Sequence, residues 1–504
     1  MRNLLTLSLE RFRRGAPFAV ASVAAALLSL ATVALLAHGR PQVAALCITA
    51  VIIALSLVRV DEREAGPASA AADALPPWLS WLARLAMVPL VALVGAAIVG
   101  LVGASPALGF AGVGVPLVLA IWVRRFGPVW QRLGTLWSFP FIAVLVTPAA
   151  AAARGAGVWW AALAALIAVS WASLLGWWVS VRFAQPAGGA VKAPAGRPSG
   201  LRPSGDRTRP SAGAGPGAGS GAEARQPAPR RLQASDKMAI HLAISLAAAI
   251  LLGWWLLPEH LGWLVLTAFI VNSGNRGRGD VVYKGIQRLV GAGLGTVAAT
   301  LLAAGIAPGR ASALIVVFVV LAVGALLRPV SYAWWAAAMT GALALLYGYL
   351  GQGGAHLLDE RLLAILLGGL IAIAASCFVL PVRSIDAFRR RTADLLGLGR
   401  EVLAGDRTAP GYAAIGMRVH EATARVAQLA PPFHALRLVT LGRLPAGRRT
   451  ADLIDRVTAL GGGLEHFVAQ PSRELGGRLG AELREVRDVL VSLRDDRGDR
   501  AGDG

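Results

Sequence analysis

The sequence predicts an all-α membrane protein of about 12 transmembrane helices, arranged as two parallel six-helix repeats and followed by a cytosolic helical C-terminal domain. The 504 residues are 56% hydrophobic and only 15% charged, with a mean hydropathy of +0.61, whereas soluble globular proteins carry about 25% charged residues. Apolar runs of membrane-spanning length recur in two stretches that a polar segment separates. Residues of the two stretches also match at a nearly constant offset.

The first repeat is predicted over residues 1–183. Four arginines precede an apolar run that begins at Pro17 and is too long for the core of a signal peptide, so we interpret it as an uncleaved helix. Pro140 and Pro148 are expected to interrupt the fifth span, as a helix bundle tolerates. The second span is expected to run from the break at 38–41 to about residue 58. The other four are expected at about 83–104, 106–123, 134–152 and 157–180.

Residues 184–235 are rich in Gly, Pro, Ser and Ala with scattered Arg, and they show no apolar periodicity. Such a segment cannot bury enough apolar surface to offset its chain entropy. We therefore predict a disordered, basic cytoplasmic linker.

The second repeat is predicted over residues 236–382. Its spans are expected at about 238–257, 259–273, 284–305, 310–327, 330–350 and 362–380, of which 259–273 is the shortest. From residue 383 to 504, apolar residues recur at helical spacing among balanced charges, which predicts a cytosolic helical tail.

The two halves match in detail. Arg84 and Arg288 both open a third span, and both are followed by Leu. Arg124 and Arg328 both follow a fourth span, and each is followed six residues later by a Trp. Because both pairs of arginines are 204 residues apart, we predict an internal duplication. An even number of spans in each half makes the repeats parallel.

Basic residues are distributed unevenly between the two sides of the predicted bundle. Fifteen Arg and Lys fall on the side of the N-terminus and four on the other: Arg40, Arg154, Arg310 and Arg361. The positive-inside rule then places both termini, the linker and the tail in the cytoplasm. The composition, rich in Ala, Gly and Arg, is that of a GC-rich bacterial genome, so we expect a multi-pass protein of the bacterial inner (plasma) membrane.

Several classes of function lack their sequence signals. No nucleophile elbow, phosphate-binding loop, paired-carboxylate site or zinc motif occurs, so we predict no enzyme, no catalytic residues, no metal and no cofactor. Cys47 and Cys377 both lie in apolar runs and are interpreted as small core residues. The net charge of +21 is assigned to lipid contact and orientation, because no nucleic-acid-binding module is visible.

The stretch 272–305 is the strongest candidate for function. It is interpreted as a basic, Gly-rich loop leading into a long apolar helix, with Arg288 near the helix end. Gly291, Gly295 and Ala299 follow at four-residue spacing, which predicts a face where another membrane helix packs closely. Arg288 either anchors the helix at the membrane surface or attracts an anionic substrate, with Arg84 as its repeat mate.

Polar residues within or beside the spans are the other pathway candidates. Asn272 either lines the pathway or caps a helix, and Thr296 and Thr340 place hydroxyls within the bilayer. The spans contain no acidic residue near the middle of the membrane, and His241 and His260 lie close to span boundaries, where we interpret them as structural.

The run KGIQRLVGAGLG at 284–295 resembles the Arg-x-x-Gly-Thr-x-x-Gly signature of the fusaric acid resistance protein-like (FUSC) family, membrane transporter domains related to bacterial aromatic acid exporters. Arg288, Gly291 and Gly295 match the signature, and Ala292 stands where the family has Thr. The resemblance implies export of small organic, often aromatic, anions and no covalent chemistry. The expected partners are that anion and the lipid bilayer, and a homo-oligomer is left open.

Two alternatives remain at this point. A major-facilitator-type transporter also has six helices plus six, but residues 60–66 lack that family's loop motif. A non-transporting membrane scaffold would use its cytosolic helices to bind a partner.

Overall fold

A computed structural model of the chain consists of α-helices and short 3₁₀ turns, with no β-strand among the residues that it describes. The described residues are 2–38, 46–47, 50–55, 57, 77–146, 158–183, 234–273, 277–303, 311–328, 330–349, 355–379, 384–405, 412–439 and 445–502. The prediction of an all-α protein is confirmed over these ranges.

The first half contains α1 (Arg2–Leu36), α2 (Pro77–Ala104), α3 (Pro106–Trp122), α4 (Pro128–Val146) and α5 (Val158–Phe183), and the described residues between 46 and 57 are also helical. The second half contains α6 (Ala234–Leu256), α7 (Leu261–Asn272), α8 (Arg278–Ala303), α9 (Ala311–Leu327), α10 (Tyr332–Tyr349) and α11 (Ala355–Phe378). The tail contains α12 (Ser384–Ala404), α13 (Tyr412–Ala427), α14 (Ala430–Val439), α15 (Pro445–Ala469) and α16 (Arg473–Gly502).

The helix ends follow local chemistry. Ser105 is extended and Pro106 occupies the first turn of α3, where a missing N–H costs no hydrogen bond. Between α3 and α4, Gly127 has a φ of 120°, a value that residues with a Cβ rarely adopt. Ser105 and Pro106 thus form the start of α3, and Gly127 follows the 3₁₀ turn Val123–Phe126 that leads from α3 to α4.

Within the described ranges, six helices are long and apolar enough to cross a membrane. They contain the segments Gly15–Leu36, Gly109–Phe126, Trp159–Arg182, Ser235–Leu256, Arg278–Ala303 and Asp359–Phe378. Shorter apolar segments lie in α2 and α9. The chain is therefore a multi-pass membrane protein.

Five of the described helices begin six or more residues before their predicted spans. α1 begins at Arg2 and not at Pro17, and α2 begins at Pro77 and not near residue 83. α8 begins at Arg278, six residues before the predicted span, so the expected loop is largely the first turns of a helix. α4 begins at Pro128 and continues through Pro140, which does not interrupt it. α11 begins at Ala355, so Arg361 lies inside the helix and not in a loop. Most of the predicted linker, residues 184–233, and Pro148 lie outside the described residues.

The membrane helices pack into two hydrophobic cores, each built from both halves of the chain. The first core joins α1, α2 and α5 to α9 and α10. The second core joins α6, α7 and α11 to α3 and α4. Direct packing between the halves includes α1 against α9 and α3 against α6.

α7 lies at the centre of the second core. Ten of its twelve residues are buried, and it packs against α6 and α11. A helix of this length is roughly 18 Å long, whereas the hydrocarbon layer is about 30 Å thick. α7 therefore does not span the bilayer by itself.

The tail has a hydrophobic core of its own. Phe388, Leu395 and Phe467 are fully buried there, with apolar residues from all the tail helices around them. The surface carries ion pairs, among them Arg437–Asp452 at 2.9 Å and Arg456–Glu485 at 2.7 Å. The hydrogen bond to Glu485 raises the pKa of Arg456 above its ordinary value.

The tail touches the membrane bundle through α8. The backbone N–H of Gly279 donates to the Ser384 hydroxyl oxygen of α12 at 3.0 Å, and α14 packs beside α8. The first turns of α8 therefore connect the two parts of the molecule.

Candidate functional site

The candidate site lies where α8 packs against α10. Arg288, Gly291, Gly295 and Ala299 recur every three or four residues on one face of α8, and all four are buried. We call this face, together with the part of α10 that it touches, the α8–α10 seam. It is the most extensive helix contact in the second half.

Two glycines allow the two backbones of the seam to approach closely. A Cβ at Gly291 would lie 2.7 Å from the Cβ of Ala336, and a Cβ at Gly295 would overlap the carbonyl oxygen of Ala337. Gly293, on the other side of α8, has no atom within 4 Å of such a Cβ. Small residues are therefore needed on the seam and not elsewhere on this turn.

Arg288 lies at the end of the seam nearer the tail. It is the eleventh residue of α8 and not at the helix end, as the sequence had suggested, and it is only 4% exposed. Its Nε has no hydrogen-bond partner among the described residues. A buried guanidinium needs acceptors or an opposite charge, so this position suits an anion.

Polar side chains surround the same end of α8. The Gln287 side-chain amide donates to the Ser331 hydroxyl at 2.8 Å and to the Tyr283 hydroxyl at 3.0 Å. The Lys284 ammonium donates to the Ser273 carbonyl oxygen at 2.7 Å. The sequence analysis did not predict these contacts, and Ser331 lies 44 residues from Gln287 along the chain.

The two predicted threonines lie farther along the seam. Thr296 is buried on α8, next to Gly295. Thr340 is buried on α10, and its hydroxyl has no hydrogen-bond partner within the described part of the chain. The following residue, Gly341, would place a Cβ 3.1 Å from the Gly295 carbonyl oxygen, so both threonines lie at nearly the same depth.

Asn272 lies outside the seam. Its amide donates to the Ser245 hydroxyl at 2.7 Å and to the Ala268 carbonyl oxygen at 3.3 Å, which ties the end of α7 to α6. His241 of α6 bonds the Val379 carbonyl oxygen nearby. In this structure Asn272 is therefore part of a buried polar cluster between helices.

Arg84 is buried on α2 and is 7% exposed. α2 contributes to the first core, and Arg84 has interactions of its own. No described contact joins it to Arg288, so the structure brings Arg288, the glycines and the two threonines together and leaves Arg84 and Asn272 apart.

A cluster of aromatic and polar side chains around Arg361 was not predicted from the sequence. Arg361 is 8% exposed, and its guanidinium lies 4.0 Å from the ring centre of Tyr347 and 5.4 Å from that of Trp263. Beside it, His260 Nδ1 lies 2.9 Å from Glu360 Oε2. This cluster lies at the opposite end of the bundle from Arg288. The sequence contains no signal for it, because Arg361 directly precedes the span predicted at 362–380 and was expected in a loop.

The described residues contain no group of three or more His, Cys, Asp and Glu side chains that could hold a metal ion.

Comparison with known protein families finds a match in the second half of the chain. Residues 246–375, from α6 to α11, match the model of a family described as fusaric acid resistance protein-like. The matched range contains the whole α8–α10 seam. No curated protein and no solved structure matches the chain significantly.

Proposed function

Since residues 246–375 form a fusaric acid resistance protein-like domain in a transporter-like membrane protein, we propose that the chain exports small organic anions, aromatic or amphipathic, from the cytoplasm. Arg288 is the residue that attracts the anion, and the α8–α10 seam is the part of the pathway that follows. The family is one of membrane transporters, and the proposed function involves no covalent chemistry.

The setting of Arg288 carries this proposal. The side chain is 4% exposed, and no described residue accepts a hydrogen bond from its Nε. A positive charge inside a membrane bundle is costly unless an anion or several acceptors compensate it. An arginine that serves only as a surface anchor extends toward water, whereas this one lies within the protein. A carboxylate substrate would supply the missing acceptors and bind the guanidinium with two hydrogen bonds.

The direction of transport rests on the distribution of basic residues. Fifteen Arg and Lys on one side against four on the other favour a cytoplasmic N-terminus and tail. Arg288 lies toward the tail end of α8, and so toward the cytoplasm. An anion would therefore meet Arg288 before it passes along the seam.

Two six-helix repeats are the proposed architecture, and corresponding helix pairs support them. α2 packs against α4 and α5, as α8 packs against α10 and α11. α1 packs against α5, as α6 packs against α11. The contacts between halves are also equivalent, because α1 against α9 corresponds to α6 against α3.

Residue pairs at the same offset add to this support. A Cβ at Gly134 of α4 would overlap the carbonyl of Ala120 of α3, and a Cβ at Gly324 of α9 would overlap the Cβ of Ala338 of α10. Gly324 lies 204 residues after Ala120, and Ala338 lies 204 residues after Gly134. The same two positions are therefore in contact in each half, with the glycine on the first helix of one pair and on the second helix of the other. Arg84 and Arg288, separated by the same offset, are both buried.

The mechanism we propose is alternating access or gating between the two cores. Each core takes helices from both halves, so movement of one core relative to the other would open a path along their boundary. α10 contributes to both cores, through Trp335 and Ala342 to the first and through Leu343 and Tyr347 to the second. A seam that includes α10 is therefore well placed to respond to such movement.

The family match favours this function over a major-facilitator transporter. The scaffold alternative keeps one supporting observation, the separate core of the tail. A transport measurement separates the two.

The experiment is uptake of radiolabelled benzoate into inverted membrane vesicles. Arg288→Gln removes the charge, Arg288→Lys retains it, and Arg182→Gln is the matched control because Arg182 is an exposed arginine at the end of α5. We expect Arg288→Gln to reduce uptake by about tenfold or more, since losing one charge-assisted hydrogen bond costs about 1.5–3 kcal/mol. Arg288→Lys should retain part of the activity, and Arg182→Gln should be close to wild type.

If Arg288→Gln and Arg182→Gln changed uptake equally at matched expression, Arg288 would serve only as an anchor at the membrane surface. Absence of uptake for benzoate and for picolinate, with intact folded protein, would favour the scaffold.

A further inference from the structure

A groove lies where the tail meets the membrane bundle. Its walls are the first turns of α8, the end of α11, the start of α12 and one side of α14, and its volume is about 590 Å³. Sites for small ligands commonly measure about 300–1,000 Å³. The lining is largely apolar, with Val282 and Ile286 on α8 opposite Phe433 and Leu436 on α14.

The charges of the groove favour an anion. Among the described residues that line it, Arg278 is the one with a charge and none is acidic. The Arg278 side chain is exposed, and among the described residues it makes no hydrogen bond or ion pair. Its guanidinium is therefore available to a negatively charged group.

The polarity of the groove changes along α8. Arg278 lies at the end of α8 beside the tail, and Ile286 lies eight residues farther into the membrane segment, a rise of about 12 Å. Ile286 and Leu436 are 54% and 41% exposed, and the neighbouring Phe378 is 85% exposed, so the apolar end borders surface that faces lipid. A charged end at the membrane surface and an apolar end toward its centre match the order of groups in a phospholipid.

The groove is distinct from the α8–α10 seam. At 100° per residue, Val282 and Ile286 point away from Arg288 and Gly295, to nearly the opposite side of α8. A molecule in the groove would not lie on the proposed path of the exported anion. It would instead touch α8 and α14 at once.

We infer that this groove binds an anionic phospholipid of the leaflet next to the tail, with its phosphate on Arg278 and one acyl chain along Val282 and Ile286. Basic residues at the cytoplasmic ends of membrane helices are a common setting for such headgroups. The bound lipid fills the space between α8 and α14 and so holds the tail against the membrane bundle.

Cys377 provides a reporter for the experiment. It lines the groove and is half-buried, whereas the other cysteine, Cys47, is buried in the first core. Full-length protein with Cys47→Ala is placed in nanodiscs of phosphatidylglycerol or of phosphatidylcholine, and the rate of maleimide reaction at Cys377 is measured. We expect the reaction to be several-fold slower in phosphatidylglycerol, because the acyl chain covers the thiol.

Two variants and one control complete the design. Arg278→Gln should remove the difference between the two lipids, and Arg390→Gln, an exposed arginine of α12 outside the groove, should retain it. Ala435→Trp fills the groove from α14 and should slow labelling in both lipids, which establishes that Cys377 reports on groove occupancy.

Equal labelling rates in the two lipids, with Ala435→Trp still protective, would overturn the inference. Protection by dissolved benzoate in phosphatidylcholine nanodiscs, without any effect of phosphatidylglycerol, would also overturn it and assign the groove to the transported anion. Neither result depends on transport, so the lipid site and the export function can fail separately.

Discussion

The three buried arginines of the membrane bundle have different surroundings. Arg361 lies against two aromatic rings, and Arg84 has interactions of its own. Among the described residues, the Nε atoms of Arg288 and Arg361 both lack an acceptor, but Arg288 has no aromatic ring against it. A residue type that is costly in a membrane is thus stabilised by aromatic rings at Arg361, whereas for Arg288 the proposed compensation is the transported anion. The sequence alone does not distinguish these settings.

The contact between Arg361 and Tyr347 makes a prediction for stability. A cation–π pair that is shielded from water contributes about 1–2 kcal/mol. We expect a double-mutant cycle of Arg361→Met and Tyr347→Leu, measured by unfolding in mixed micelles, to give a coupling energy of about that size. The same cycle with Trp334, which is exposed and distant, is the control. A coupling energy near zero for Tyr347 would contradict the assigned contact.

The glycines of α8 make a prediction with a control on the same helix. Gly295→Ala places a methyl group against the backbone of α10, so we expect a loss of roughly 1–3 kcal/mol in the free energy of unfolding. Gly293→Ala meets open space and replaces a poor helix former, so it should be neutral or stabilise by up to about 1 kcal/mol. Thermal unfolding in detergent compares the two. Similar melting temperatures would mean that the seam is looser than the structure describes.

Residue spacing predicted the position of the glycines and Arg288 on one helix face, because that arrangement depends only on helical geometry. Spacing could not predict Arg361 beside Tyr347 and Trp263, since those rings come from α10 and α7. It likewise could not show that Asn272 bonds Ser245 on another helix. Partners that are distant along the chain are the part of the site that the sequence hides.

At the scale of single elements, the apolar runs predicted the membrane helices, whereas the charged residues beside them led to predicted helix ends that were wrong. Arg278 and Asp280 gave the start of α8 the composition of a loop, yet both belong to its first turn. An acidic residue in a first turn favours the helix, because it interacts with the unpaired N–H groups there. The apolar composition marks the part of a helix that lies in the membrane. α8 continues beyond that part, where its first turns contact the tail.

The tail gives a prediction of independent folding. Its core is made from its own five helices, so residues 384–502 expressed alone should be soluble and helical by circular dichroism. Phe467→Ala should destabilise this fragment by about 3–5 kcal/mol, because the ring is fully buried. Val491→Ala, at an exposed position, should change stability little. An unfolded fragment would show that the tail needs the membrane bundle.

At the scale of the whole molecule, each core contains helices from both halves. The sequence predicted two repeats from residues 204 apart, but it could not predict that the halves would exchange partners, because an offset carries no information on packing. α1 lies against α9 and α3 lies against α6. The two halves are therefore expected to depend on each other.

This dependence is testable by dividing the chain in the segment between α5 and α6. Residues 1–206 and 207–504, co-expressed with different tags, should co-purify from membranes and give one folded complex. Either part expressed alone should be degraded or aggregate, since each core would lose helices that it needs. Two separately stable and monodisperse parts would contradict the exchanged packing.

The buried arginines also bear on the energy that drives the protein. All formally charged side chains that are buried in the described membrane helices are positive, namely Arg84, Arg288 and Arg361. Positive fixed charge lowers the barrier for an anion, and the anion then crosses the membrane potential. An interior that is 100 mV negative favours the departure of each elementary negative charge by about 2.3 kcal/mol. Export of an organic anion in the proposed direction would thus be driven by the voltage of the cell itself, without a chain of acidic residues to carry protons.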